Sequence, residues 1–132
     1  QAFANAPVAA VHALAYPVGG IFHVPHGLSN ALVLPHVLRF NAEAAAHLYA
    51  ELADVIVPDA TGSDASKTQA LIARLEQMIA ATGIPARLRD VGIARDGLAR
   101  MASDAMLQTR LLVNNPRPVS EADALGIYIA AF

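Results

Sequence analysis

Cysteine and tryptophan are absent from these 132 residues, lysine occurs once, at Lys67, and the net charge is only −2. Each shortage excludes something. Without cysteine there is no disulfide framework and no thiolate metal site. Without a basic field the chain cannot neutralise a run of phosphates or an anionic lipid surface, so neither nucleic acid nor a membrane is expected as a partner. Uninterrupted apolar runs are also lacking. The oiliest stretches, Ala2 to Leu14 and Ala31 to Leu38, are broken by Asn5, Pro7, His12, Pro35 and His36, and a spanning helix needs about 20 apolar residues in a row. What is present is core-forming material. With 55% hydrophobic and 15% charged residues the chain is too apolar for disorder and long enough for one domain, residues 1–132, around one core.

Charge is distributed unevenly. Arg39 is the only charged side chain before Glu43, whereas four of the five histidines, His12, His23, His26 and His36, lie in that stretch. The first third should therefore be largely buried, and a buried imidazole needs a hydrogen-bond partner or a metal to offset its desolvation. The rest reads as helices, giving an all-α fold with no competing strand pattern. Asn41 is a candidate N-cap for a helix whose stripe is Leu48, Leu52, Val55 and Ile56, stopped by Pro58. After a polar loop, Asp59 to Asp64, a helix from near Ser63 carries Leu71, Ile72, Leu75, Met78 and Ile79 and ends at Gly83. A shorter helix is expected over 96–106, with Leu98, Met101, Ala102 and Ala105. An extended segment should lead from it to Asn115-Pro116-Arg117-Pro118. The spacing of Ser120 to Asp123 predicts a capping box opening a last helix with Leu125, Tyr128, Ile129 and Phe132.

The chemistry is concentrated between His12 and Gly27. His12 and His26 are fourteen positions apart, about 21 Å on one unbroken helix, too far for two ligands of one ion. Pro17, Gly19, Gly20 and Pro25 are expected to break the helix and fold the chain back, so that the two imidazoles can share a metal. The plainer reading is that both are hydrogen-bonded core residues. Two histidines do not complete a site, and no acidic residue precedes Glu43; the other ligands come either from His23, His36, His47 or Asp54 or from sequence outside this chain. Tyr16, four residues after His12, shares its helical face. Gly19-Gly20 is no GxGxxG fingerprint and Ser29 has no nucleophile elbow, so Ser29 and Asn30 read as residues capping or lining a helix. Arg87, Arg89, Arg95 and Arg100, interspersed with Asp90 and Asp96, read as a solvated surface.

His12-Ala-Leu-Ala, Pro17-Val-Gly-Gly20, Pro25-His26-Gly27, Asn30-Ala31 and Leu34-Pro-His-Val37 together resemble the signature of the iron-containing, or group III, alcohol dehydrogenases. Gly83-Ile-Pro85, Leu88-Arg-Asp-Val-Gly92 and Asn115-Pro-Arg-Pro118 extend the likeness over essentially the whole chain. The resemblance implies the helical C-terminal domain of a dehydroquinate-synthase-like two-domain enzyme, which transfers hydride between a small alcohol or its aldehyde or ketone and NAD(P). It implies that the nucleotide is bound mainly by an N-terminal domain absent here, and that Fe2+ or Zn2+ sits between the domains on an aspartate and three histidines. His12 and His26 match the last two of these. The first two belong to an earlier helix outside this sequence, which agrees with a start at Gln1 lacking methionine, polar lead-in or signal peptide. A C-terminal fragment, inactive alone, of a cytoplasmic homo-oligomer is thus expected. Where many members carry a second histidine, this chain has Tyr16, whose phenol is a poorer proton shuttle at neutral pH than imidazole. Phe3 falls where relatives place an aromatic near the substrate. A maleylacetate-reductase-like or polyol dehydrogenase of the same superfamily, and a non-catalytic helical module with core histidines, are the alternatives.

Overall fold

The computed structural model describes residues 2–108, 112, 113, 115 and 117–132, the side chains of residues 2–9, 43 and 48 excepted. Among the described residues five α-helices follow one another: α1 (Ala2–Phe22), α2 (His26–Ile56), α3 (Asp64–Ala81), α4 (Leu98–Ala105) and α5 (Glu121–Ala131). Short 3-10 turns at Leu88–Val91 and Arg95–Gly97 link α3 to α4. No strand occurs among the described residues, as the missing two-residue alternation leads one to expect.

Two apolar clusters hold the helices together. In the larger, Leu14 and Val18 of α1 meet Val33 and Val37 of α2, Leu98 and Met101 of α4, and Tyr128 of α5. The smaller joins Leu38, Ala45, Tyr49 and Ala53 of α2 to Leu71 and Ile72 of α3. Helix α2 runs through both: among the described residues it packs with α1, α4 and α5 in the larger cluster and with α3 in the smaller.

Several sequence expectations fail at α2, for one reason. Asn41 reads as a helix start, yet it lies, with Pro35, inside the 31-residue α2. Pro35 gives up one backbone hydrogen bond, but Leu32, Val33, Val37 and Leu38 around it are all buried, and that burial outweighs the loss. The only break in helical geometry is at Ala45 (φ −128°, ψ 18°). Asn41 is no cap. It is buried, and its carboxamide pairs reciprocally with that of Asn115, with Nδ2 to Oδ1 distances of 2.8 and 2.7 Å. Arg117 donates to the Phe40 carbonyl at 2.8 Å and its guanidinium lies 4.1 Å from the Phe40 ring centre. The Asn115-to-Pro118 motif is therefore a clamp on the middle of α2.

The stripe expected after Asn41 is also not a buried one. Leu52, Val55 and Ile56 are exposed, while Leu48 lies outside the described side chains; Tyr49, Ala50 and Ala53 take the inner face instead. Met78 and Ile129 likewise face outward. The extended segment expected before Asn115 lies partly outside the described residues; of those described, Leu112 donates its N–H to the Gln108 carbonyl and Asn115 its N–H to the Leu112 carbonyl. Local capping signals are met. Ser63 accepts from the Ser66 N–H at the start of α3, Gly83 adopts φ +75° after it, and Ser120 and Asp123 complete a reciprocal capping box at α5.

Candidate metal centre

The reversal that places the histidines is not made where the glycines and Pro17 suggest. Helix α1 continues through Pro17, Gly19 and Gly20 to Phe22, because Ala13, Leu14, Ala15 and Val18 are all buried and hold that turn in place. The chain turns at His23, which adopts the left-handed conformation (φ 59°) while its N–H caps the Gly19 carbonyl at 3.0 Å. That is the usual way to end a helix, carried out by a non-glycine residue. Val24 is then buried, and Pro25, which holds its predecessor extended, leads into α2 at His26. Ser29, fully buried, ties the connection with its hydroxyl, donating to the Val24 and Pro25 carbonyls at 3.2 and 3.0 Å. Gly19 has a specific part: a Cβ there would lie 3.2 Å from the Val24 carbonyl oxygen, so a side chain at this position would require the turn to give way slightly.

This turn brings His12 and His26 together. Their ring centres are 5.4 Å apart and the rings are stacked at 11°. Two imidazoles bound to one ion through nitrogens at about 2.1 Å have ring centres about 5 Å apart, so the separation suits a shared cation without backbone movement. The orientation differs from a loaded pair. A shared ion lies in the plane of both rings, and stacked rings must open by rotation about a Cβ–Cγ bond to meet it. His26 is exposed and His12 half-buried, so of the two rings His26 has the more room for that rotation. The donor set thus fits half of a histidine-rich divalent metal site.

Among the described residues no third His, Cys, Asp or Glu joins the pair. His23 forms the turn through its backbone, and its side chain is exposed. His47 is exposed, and Asp54 pairs with Lys67 at 2.8 Å. His36 lies ten residues beyond His26 on α2, about 15 Å along the helix. Tyr16 is 53% exposed, one turn beyond His12, so its phenol is available to a ligand. Phe3 is in α1, but its side chain lies outside the described residues. Arg87, Arg89, Arg95 and Arg100 are all exposed, as a solvated surface requires. Tyr128, expected only as part of an apolar stripe, is fully buried and also ties α5 to α1, donating its hydroxyl to the Leu14 carbonyl at 2.6 Å. Burial pushes that phenol well above its ordinary range, which keeps it a donor.

His36 has a separate, titratable role in stability. Burial first, then the Arg39 guanidinium, hold its imidazole below the ordinary value, with Glu76, the ion-pair partner of Arg39, opposing in part. The unfolded chain then takes up this proton before the folded one, so the contribution is complete above about pH 6.5 and is lost as pH falls towards the folded value. Thermal unfolding between about pH 7.5 and 5 should show a midpoint that drops with acidity, and drops less in His36→Gln. Parallel profiles for the two proteins would remove His36 from that account.

Over residues 1–132 the sequence matches the Fe-containing alcohol dehydrogenase family, C-terminal. It is 40% identical over 132 residues to Long-chain-alcohol dehydrogenase 1 of Geobacillus thermodenitrificans (strain NG80-2), covering 99% of this chain and 33% of that protein. It is 37% identical over 136 residues to 1,3-propanediol dehydrogenase of Klebsiella pneumoniae, covering 100% of this chain and 34% of that protein. Alcohol dehydrogenase from Oenococcus oeni shares the fold with a TM-score of 0.85 at 30% identity, over 92% of this chain and 32% of that one. The chain therefore spans about a third of the length of the curated relatives it matches. No helix among the described residues is long and apolar enough to cross a membrane. A full-length family match, these relatives and an all-helical fold shared with a solved alcohol dehydrogenase together establish that the chain belongs to the Fe-containing alcohol dehydrogenase family.

Proposed function

We propose that residues 1–132 act as the metal-holding helical domain of a longer NAD(P)-dependent alcohol dehydrogenase, which moves hydride between a small alcohol and the corresponding aldehyde or ketone. The observation that carries this reading is the His12–His26 pair, 5.4 Å between ring centres across a three-residue reversal. A packing role fits His26 poorly, because it is exposed.

His12 and His26 would supply two neutral imidazole nitrogens to Fe2+ or Zn2+, and polypeptide beyond these residues the remaining ligands and most of the NAD(P) site. When bound, such an ion supplies a Lewis acid that stabilises alkoxide character on the substrate oxygen and so eases hydride departure from the carbinol carbon. Tyr16, exposed on the same face of α1, is placed to contact the substrate and to exchange the hydroxyl proton with solvent. Phe3 is carried into this reading by the family resemblance alone, as an aromatic near the substrate. A cytoplasmic homo-oligomer is the assembly that accompanies this reading. Relatives named for a long-chain alcohol and for propanediol support the small-molecule alcohol class without selecting one member.

Metal removal tests the reading. Dialysis of the full-length protein against a chelator should lower alcohol-dependent NAD(P) reduction by at least about 100-fold, and Fe2+ or Zn2+ should restore it. A full rate in protein holding far less than one ion per chain would reject it.

A further inference from the structure

Asn30 sits one turn after His26 on α2, and its Nδ2 lies 3.3 Å from the His26 Nε2. The carboxamide makes that contact at the expense of its other end: Asn30 Oδ1 is buried and has no hydrogen-bond partner. The bonded ring is the one stacked at 11° on His12, in the arrangement that must open before both rings can point at one ion. We propose that Asn30 is a latch on His26 that competes with metal coordination. By donating to Nε2 it occupies a lone pair suited to coordination, keeps the proton on Nδ1, and holds His26 stacked; a cation arriving at Nε2 has to displace the amide.

This inference rests on the metal reading above and deepens it. Two features make the latch releasable. The hydrogen bond is at the long end of the normal range and solvent-exposed, and the stranded oxygen leaves the carboxamide with little to lose by reorienting. The thermodynamic sign follows directly. An interaction made only in the metal-free state stabilises that state alone and so weakens metal binding, and removing it must tighten binding.

The test uses full-length protein stripped of metal and titrated with Zn2+ against a competing chelator. Asn30→Ala, and Asn30→Leu as the variant that keeps the side-chain volume, should each bind Zn2+ about 3- to 10-fold more tightly than the parent. Nitrogen-15 spectra of the metal-free parent should show His26 unprotonated at Nε2, with the proton moving towards Nε2 in both variants. Unchanged or weaker Zn2+ binding in both variants, or an Nε2–H tautomer in the metal-free parent, would overturn the latch. His26→Ala separates the two levels. If it leaves Zn2+ binding intact the metal reading itself fails, whereas if it abolishes binding and the Asn30 variants match the parent, only the latch does.

Discussion

His12→Ala in the full-length protein should bind its metal at least about 100-fold more weakly and lose about 1,000-fold or more in kcat/KM for alcohol oxidation. The basis is a comparison. Removing a residue that merely orients a metal ligand commonly costs 10- to 100-fold in affinity or activity, and removing a ligand must cost more. His26→Ala should show the same loss, and the two stability effects should differ from it in kind. His26 is exposed and His12 half-buried, so the substitutions are expected to shift unfolding free energy by about 0.5 and about 1 kcal/mol respectively. Histidines that only filled a core would give the reverse, a clear loss of stability with metal content retained. In the same series Tyr16→Phe should keep the metal and the fold, since the side chain is 53% exposed, while lowering kcat and altering its pH profile. A wild-type profile in Tyr16→Phe would withdraw the proton-exchange role from that phenol.

How far this site could be read from the sequence depends on the range of the interactions that make it. Ser63, Ser120 with Asp123, and Gly83 before Pro85 announce helix ends through bonds to residues two to five positions away, and each is found where the sequence puts it. The histidine pair was legible as a need for chain reversal, and of its four expected breakers Pro25 does stand at the reversal, whereas Pro17, Gly19 and Gly20 lie within α1. Gly19 and Gly20 look like breakers, whereas the left-handed residue is His23, a choice made by Val24 and Ser29 packing into the turn. Periodicity shows which side chains share a face and not which face is covered, so Leu52, Val55 and Ile56 form a proper stripe that α3 does not meet. Contacts across long separations left no trace. The Tyr128 bond to Leu14 spans 114 positions and the Asn41 pairing with Asn115 spans 74. Asn30 had no signal beyond a shape suited to helix ends.

The Asn41–Asn115 pair should carry the largest stability effect of any polar contact among the described residues, and none of the metal. Both residues are buried, at 0% and 8% exposure. Their amides satisfy each other, and Asn115 Nδ2 also donates to the Arg117 carbonyl at 2.6 Å. Asn41→Leu removes both reciprocal bonds and leaves Asn115 Oδ1 facing an apolar side chain, which combines lost hydrogen bonding with an unsatisfied buried acceptor. A destabilisation of about 3 kcal/mol is expected, or roughly 10 °C in Tm for a domain of this size. Replacing both residues by leucine removes the stranded acceptor, so the double variant should lose at least about 1 kcal/mol less than the sum of the singles. Asn41 is fifteen residues beyond His26, about 22 Å along α2, so metal affinity at 25 °C should stay within about twofold of the parent. The clamp and the histidine pair therefore give opposite signatures on one helix. Chemical unfolding and Zn2+ titration of the same variants separate them, and a metal-affinity loss in Asn41→Leu comparable to that in His26→Ala would show that the middle of α2 and its first turn are one cooperative unit.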